Sequence, residues 1–147
     1  MRAILQRVKE SRVYVDGKEV ASIGAGLNIL LGVGFGDGEE DVNKLVEKIV
    51  NLRIFEDESG KFNLSLLDVK GSALVVSQFT LYANTKKGRR PSFELAEEPK
   101  RARELYELFI KRMSEYVPTQ GGIFGAMMEV YILNWGPVTI ILDSKEL

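Results

Sequence analysis

The stretch Met127-Met128-Glu129-Val130-Tyr131-Ile132-Leu133-Asn134-Trp135-Gly136-Pro137-Val138-Thr139-Ile140-Ile141-Leu142 decides how this chain is read. Two apolar runs flank a Gly-Pro pair. Both runs read as strands, so 127–143 reads as a strand pair joined by a short rigid connection. Glycine has no Cβ and proline no N–H, so Gly136-Pro137 presents bare carbonyl oxygens to whatever approaches. Taken by itself the pair is a turn.

Working outward, Val13-Tyr14-Val15, Asp16-Gly17, Lys18-Glu19-Val20 carries a strong hairpin signal, because Asp-Gly suits the positive φ angles of a type I′ turn. Leu27 to Val33 reads as a mostly buried strand. Gly34, Gly36 and Gly38 follow it with neither dinucleotide nor P-loop spacing, which leaves a strand-to-helix turn. From Glu39 to about Arg53, Val42, Leu45, Val46, Ile49 and Leu52 recur at helical spacing, and Glu39, Glu40 and Asp41 load the first turn with the charge its dipole favours. Ala73 to Leu81 reads as a strand. A second helix starts at Pro99, with Ala102, Leu105, Tyr106, Phe109, Met113 and Tyr116 on its apolar face, and ends before Pro118. The order β-β-β-α-β-α-β-β predicts a mixed α/β chain with much antiparallel pairing and two main helices. With no repeat or linker, residues 1–147 read as one domain.

Composition narrows the chemistry. At 147 residues the chain can bury roughly 68–70% of its unfolded surface. Its 45% apolar and 28% charged residues are ordinary for a globular protein. No apolar run approaches the ~20 residues that span a bilayer, and no secretory signal opens the sequence, so a cytoplasmic protein is expected. Cysteine and histidine are both absent. That removes disulfides, thiolate nucleophiles, Cys/His zinc sites and any Ser-His-Asp triad. Carboxylates, backbone dipoles or the substrate itself must supply any catalysis, and no metal or cofactor is expected. The net charge is −1, yet Lys86, Lys87, Arg89 and Arg90 fall together around Gly88. Such a run is either a solvated loop or a local contact for an anionic partner at one edge.

Several segments, in order along almost the whole chain, resemble the D-aminoacyl-tRNA deacylases. They are Met1-Arg2-Ala3-Ile4-Leu5-Gln6-Arg7-Val8, Ile23-Gly24-Ala25-Gly26-Leu27, Leu52-Arg53-Ile54-Phe55-Glu56-Asp57, Lys61-Phe62-Asn63, Ser77-Gln78-Phe79-Thr80-Leu81 with Tyr82 to Phe93, Phe124-Gly125-Ala126-Met127-Met128, and Asn134 to Thr139. The resemblance implies a homodimeric editing hydrolase with a barrel-like, largely antiparallel sheet. Such an enzyme cleaves the ester between a D-amino acid and the terminal adenosine of tRNA. It also implies a cis Gly136-Pro137 that reaches into the other subunit's pocket. One departure stands out: Trp135 occupies a place where the family commonly carries an acidic residue.

If the carbonyls of Gly136 and Pro137 accept hydrogen bonds from the substrate ammonium, an L side chain is driven into their backbone while a D side chain points outward. Selection is then by clash, with broad D range and leakage of glycyl-tRNA. Ser77 and Thr80 lack a histidine to activate them, so the Ser77–Thr80 segment is expected to act through backbone N–H groups on the developing oxyanion. The resemblance assigns the proton work largely to the RNA's terminal 2′-hydroxyl. Gln78 would orient the ester or the water, and Phe79 either packs against adenosine or belongs to the core. Lys86, Lys87, Arg89 and Arg90 would contact acceptor-end phosphates without reading sequence. No DNA or membrane partner is expected. The alternatives are a related class that removes L-alanine with a trans Gly-Pro, a non-catalytic tRNA-end or nucleotide binding module, and a dimeric scaffold. Ser77-Gln78-Phe79-Thr80 and Val138-Thr139 favour the D-specific class.

Overall fold

A computed structural model describes residues 1–147. Its organising element is β1 (Arg2–Val15), which lies between partners on both edges. On one edge its second half pairs with β2 (Lys18–Ile23) and its first half with β3 (Gly26–Gly32), both antiparallel. The β1–β2 turn has Asp16 at φ 50° and Gly17 at φ 76°, as the type I′ reading requires. The parallel strands β6 (Ser72–Ser77) and β7 (Thr119–Gly121) extend the sheet beyond β3. Each is reached by a crossover containing a helix. The first, α1 (Glu39–Asn51), is followed by the small hairpin β4 (Phe55–Glu56) and β5 (Phe62–Leu64); the second crossover contains α2 (Pro99–Ser114). The sheet curls until β2 meets β7, where Ser22 N donates to Gln120 Oε1 at 2.9 Å. The result is a mixed α+β architecture around a nearly closed, barrel-like sheet. No helix is long and apolar enough to cross a membrane.

Alternation divides the core. Met1, Ala3, Leu5, Ile29, Leu31 and Val75 face α1 and α2, where Leu45, Ile49, Leu105 and Phe109 meet them. Val8, Val13, Ala21, Ile23, Leu74 and Val76 form a smaller cluster on the other side. Both helices follow their expected apolar spacing and start where expected. In α2 the Glu98 carboxylate accepts from Arg101 N at 2.7 Å and Pro99 takes the first position. Tyr116 departs from expectation. The helix ends at Ser114, and this ring is half exposed rather than part of the apolar face.

Two strand expectations are corrected. Residues 127–143 are not a strand pair, because β8 (Glu129–Asp143) is one strand whose two halves both pair with β1. Fourteen residues of β1 present a continuous edge, so the two apolar runs find that edge instead of each other. Ala73 to Leu81 is likewise not one strand. The ladder ends with Gln78 N donating to Leu31 O at 2.8 Å, β3 stops at Gly32, and the unpartnered chain tightens into a 3-10 turn, Phe79–Tyr82.

A polar cluster ties the end of β8 to α1. Asp41 accepts from Gly38 N at 2.9 Å and from Ser144 Oγ at 2.7 Å, and pairs with Lys145 Nζ at 2.9 Å. Burial pushes this carboxyl up, but the bonds from Gly38, Ser144 and Lys145 outweigh it and hold the pKa at about 2. A depressed folded value stabilises above the ordinary 3.8 and fades as pH falls through 4 towards 2. Asp41→Asn should therefore cost on the order of 2 kcal/mol at pH 7. In denaturant titrations the gap from wild type should close near pH 2.

Candidate functional site

The Gly-Pro pair sits in a large bulge. Asn134 stands opposite Val8 and Thr139 opposite Gln6, so Trp135, Gly136, Pro137 and Val138 together oppose the single residue Arg7. Both Gly136 and Pro137 are exposed, and the bond between them is cis, as the resemblance implied.

Arg7 explains how so large an excursion is held. It occupies an inward position of β1 and is only 3% exposed. Nε donates to Trp135 O at 2.9 Å and Nη1 to Ile54 O at 3.0 Å, which ties the bulge to the segment after α1. Its guanidinium lies 4.7 Å from the Trp135 ring centroid and 5.6 Å from that of Phe62, with Glu56 Oε1 at 3.6 Å. Trp135, where an acidic residue was the family expectation, thus supplies an aromatic face to this cation. Sequence reasoning missed Arg7. The signal was available in the run Met1, Ala3, Leu5, Arg7, where a cation continues an inward apolar alternation.

The second motif lies at the end of β6. Ser77 and Gln78 are half-buried, while Phe79 and Thr80 are exposed in the 3-10 turn. The Phe79 ring is 54% exposed, which decides against the core. Gln78 Nε2 donates to Thr80 Oγ1, fixing two of the motif's side chains on each other. The first residues of a helical turn have N–H groups without an intrahelical partner, so Phe79 and Thr80 bring such donors to this surface.

Lys86, Lys87, Arg89 and Arg90 ride on an exposed hairpin tip closed by Asn84 and Ser92, which exchange backbone bonds of 2.8 and 2.9 Å. Phe93, just past that closure, meets Phe79 edge-on with centroids 4.9 Å apart. The basic tip and the Ser77–Thr80 turn are therefore mechanically joined. A cleft of about 500 Å³ that includes Lys44, Lys48 and Arg53 in its wall lies elsewhere, along α1. No group of three or more acidic side chains is placed to hold a metal ion.

Within one chain the two motifs do not meet. In register, Ser77 stands beside Leu31, Leu31 beside Ala3, and Ala3 beside Leu142, whereas the bulge lies opposite Arg7. At strand spacings of ~4.8 Å across and ~3.3 Å along, the separation is on the order of 20 Å.

A family model for D-Tyr-tRNA(Tyr) deacylase matches residues 4–143. The chain is 68% identical over 148 residues to a D-aminoacyl-tRNA deacylase of Aquifex aeolicus, with 100% of both covered. It is 63% identical over 147 residues to the one of Persephonella marina, again with 100% of both covered. Among solved structures, the c-Myc DNA Unwinding Element Binding Protein superimposes with a TM-score of 0.92 at 42% identity, covering 97% of this chain and 98% of that one. A probable eukaryotic D-amino acid tRNA deacylase shares the fold, with a TM-score of 0.85 at 18% identity over 96% and 97% of the two chains. By full-length similarity of this kind, the chain belongs to the D-Tyr-tRNA(Tyr) deacylase family of hydrolases.

Proposed function

We propose that the chain hydrolyses D-aminoacyl-tRNA as a homodimer in the cytoplasm, releasing the free D-amino acid and tRNA, with each site made from the Ser77–Thr80 turn of one protomer and the Gly136-Pro137 bulge of its partner. The observation that carries this reading is the separation of the two motifs within a chain, on the order of 20 Å, while Phe79, Thr80, Gly136 and Pro137 are exposed. The long β8 adds support, since one edge is paired to β1 and Tyr131, Leu133 and Ile141 remain exposed along it. An unpaired, apolar edge strand is a template for a second copy.

In the assembled site the Phe79 and Thr80 N–H groups would stabilise the oxyanion formed at the ester carbon, each donor contributing ~10²–10³ in rate. Gln78 would orient the ester or the attacking water, and Ser77 would close the turn's base. The partner's Gly136 and Pro137 carbonyls would take the substrate ammonium. An L side chain then meets backbone, a D side chain points out, and glycine, having none, passes. As the family resemblance implies, the terminal 2′-hydroxyl of the RNA would carry the proton, which fits a chain without histidine.

Parallel hydrolysis of D-tyrosyl- and L-tyrosyl-tRNA tests this directly. Turnover of the D ester alone supports it, equal loss of both defeats the chiral filter, and binding without turnover makes the chain a tRNA-end module. The basic tip has its own signature. Replacing Lys86 and Lys87 by alanine should weaken tRNA binding and flatten the slope of log K against log salt by ~0.7–0.9 per lost phosphate contact. Duplex DNA is not expected to compete, because the net charge is −1 and only four of the 20 Lys and Arg cluster on the hairpin tip.

A further inference from the structure

Arg2, on β1, reaches the last two residues of the Phe79–Tyr82 turn, and nothing in the reaction outlined above uses it. Its Nη1 donates to Leu81 O at 2.9 Å, and its guanidinium lies 4.4 Å from the Tyr82 ring centroid. Its Nε bonds Asp143 Oδ2 at 3.2 Å, which orients the fork from the far side. Leu81 and Tyr82 are the last two residues of the 3-10 turn that begins at Phe79. The carbonyls at the end of such a turn have no partner within it, so an external cation is a natural stop. The Tyr82 ring is itself wedged: a Cβ on Gly34 would lie 2.7 Å from its Cζ. The turn is thus anchored by Arg2 and Tyr82 at its exit and by the Gln78 N–H to Leu31 O bond at its entry.

We propose that Arg2 is a positioning residue for the deacylation reaction, holding the exit of the Phe79–Tyr82 turn so that the Phe79 and Thr80 N–H groups stay aimed at the reacting carbonyl. This rests on the deacylase reading for its chemistry, but the holding role is physical and separately measurable. Planarity is what the site requires. A guanidinium can bond Leu81, pair with Asp143 and stack on Tyr82 at once, and an ammonium cannot.

The test compares wild type with Arg2→Gln and Arg2→Lys in two measurements on the full chain. In steady-state hydrolysis of D-tyrosyl-tRNA, Arg2→Gln should lower kcat by ~10–10²-fold with KM within about twofold, the penalty for a reacting geometry displaced by ~1 Å. Arg2→Lys should recover only part of that loss. In hydrogen exchange, the Leu81 and Ala83 amides, which bond Gln78 O and Thr80 O, should exchange faster in Arg2→Gln while the α1 amides do not change. A raised KM and a flatter salt slope with kcat unchanged would make Arg2 a phosphate contact and overturn the proposal. So would a fall in Tm alone with kcat intact below the transition. Should the wild-type chain cleave neither ester, the deacylase reading fails, and the exchange measurement still decides whether Arg2 holds the turn.

Discussion

Gly136→Ala is expected to lower kcat/KM for D-tyrosyl-tRNA by ~10²-fold in a chain that still folds. Gly136 has φ 136°, a conformation that L side chains rarely adopt. A Cβ there would lie 2.9 Å from both Val138 N and Val138 Cγ2, and 3.3 Å from Arg7 Nη2. The backbone nitrogen cannot yield unless the bulge moves. Strain of this kind costs about 1–3 kcal/mol, and an exposed bulge relieves it by shifting rather than by unfolding the sheet. A shift of ~1 Å in a group that positions the substrate is enough for the rate loss. Mixing variants then tests where the bulge acts. Thr80→Pro removes one N–H of the turn and disfavours the helical conformation of Phe79 before it, so it damages the turn locally. Dimers of either variant alone would have two damaged sites. A one-to-one mixture should recover about a quarter of wild-type activity, since half the dimers are mixed and each has one intact composite site. No recovery would mean that the bulge and the turn of the same chain work together.

What could be read from the sequence divides along the range of the forces involved. Asp16-Gly17, the acidic first turn of α1 and Pro99 are local signals, and the structure follows each of them. The single strand Glu129–Asp143 was not legible, because a period of two identifies a strand but not its partner. Phe79–Tyr82 carries a strand-forming composition, and only the end of β3 at Gly32 makes it a turn. The site shows the same divide. Ser77 to Thr80 and Gly136-Pro137 stand out as motifs, whereas the distance between them depends on the intervening positions of β3 and β1. Trp135 was expected to depart from the family pattern, but its place against Arg7 is set by a four-to-one bulge that no window of sequence contains.

Arg7 is where stability and function should fail together. The side chain is 3% exposed and donates to two carbonyls, those of Trp135 and Ile54, while stacking on Trp135 and near Phe62. Arg7→Ala leaves both carbonyls without their charged donor and leaves Glu56, itself half exposed, to water. A loss of about 2–5 kcal/mol is expected, mostly from the buried Ile54 carbonyl and the part-buried Trp135 carbonyl left unpaired rather than from the Glu56 contact. For a chain of this size that lowers Tm by roughly 5–15 °C. The same change frees the bulge, so discrimination between D and L esters should narrow by at least ~10-fold at temperatures where the variant is still folded. Arg7→Lys separates the two effects. Lysine keeps the charge and much of the apolar stem, so part of the stability returns. One ammonium cannot reproduce the planar fork that spans two carbonyls, so the bulge stays loose and the D/L ratio should remain low. Wild-type discrimination in Arg7→Lys would show that charge alone sets the bulge. Wild-type discrimination in a folded Arg7→Ala would show that the Gly-Pro segment holds its own shape, and that the cation beneath it serves the fold only.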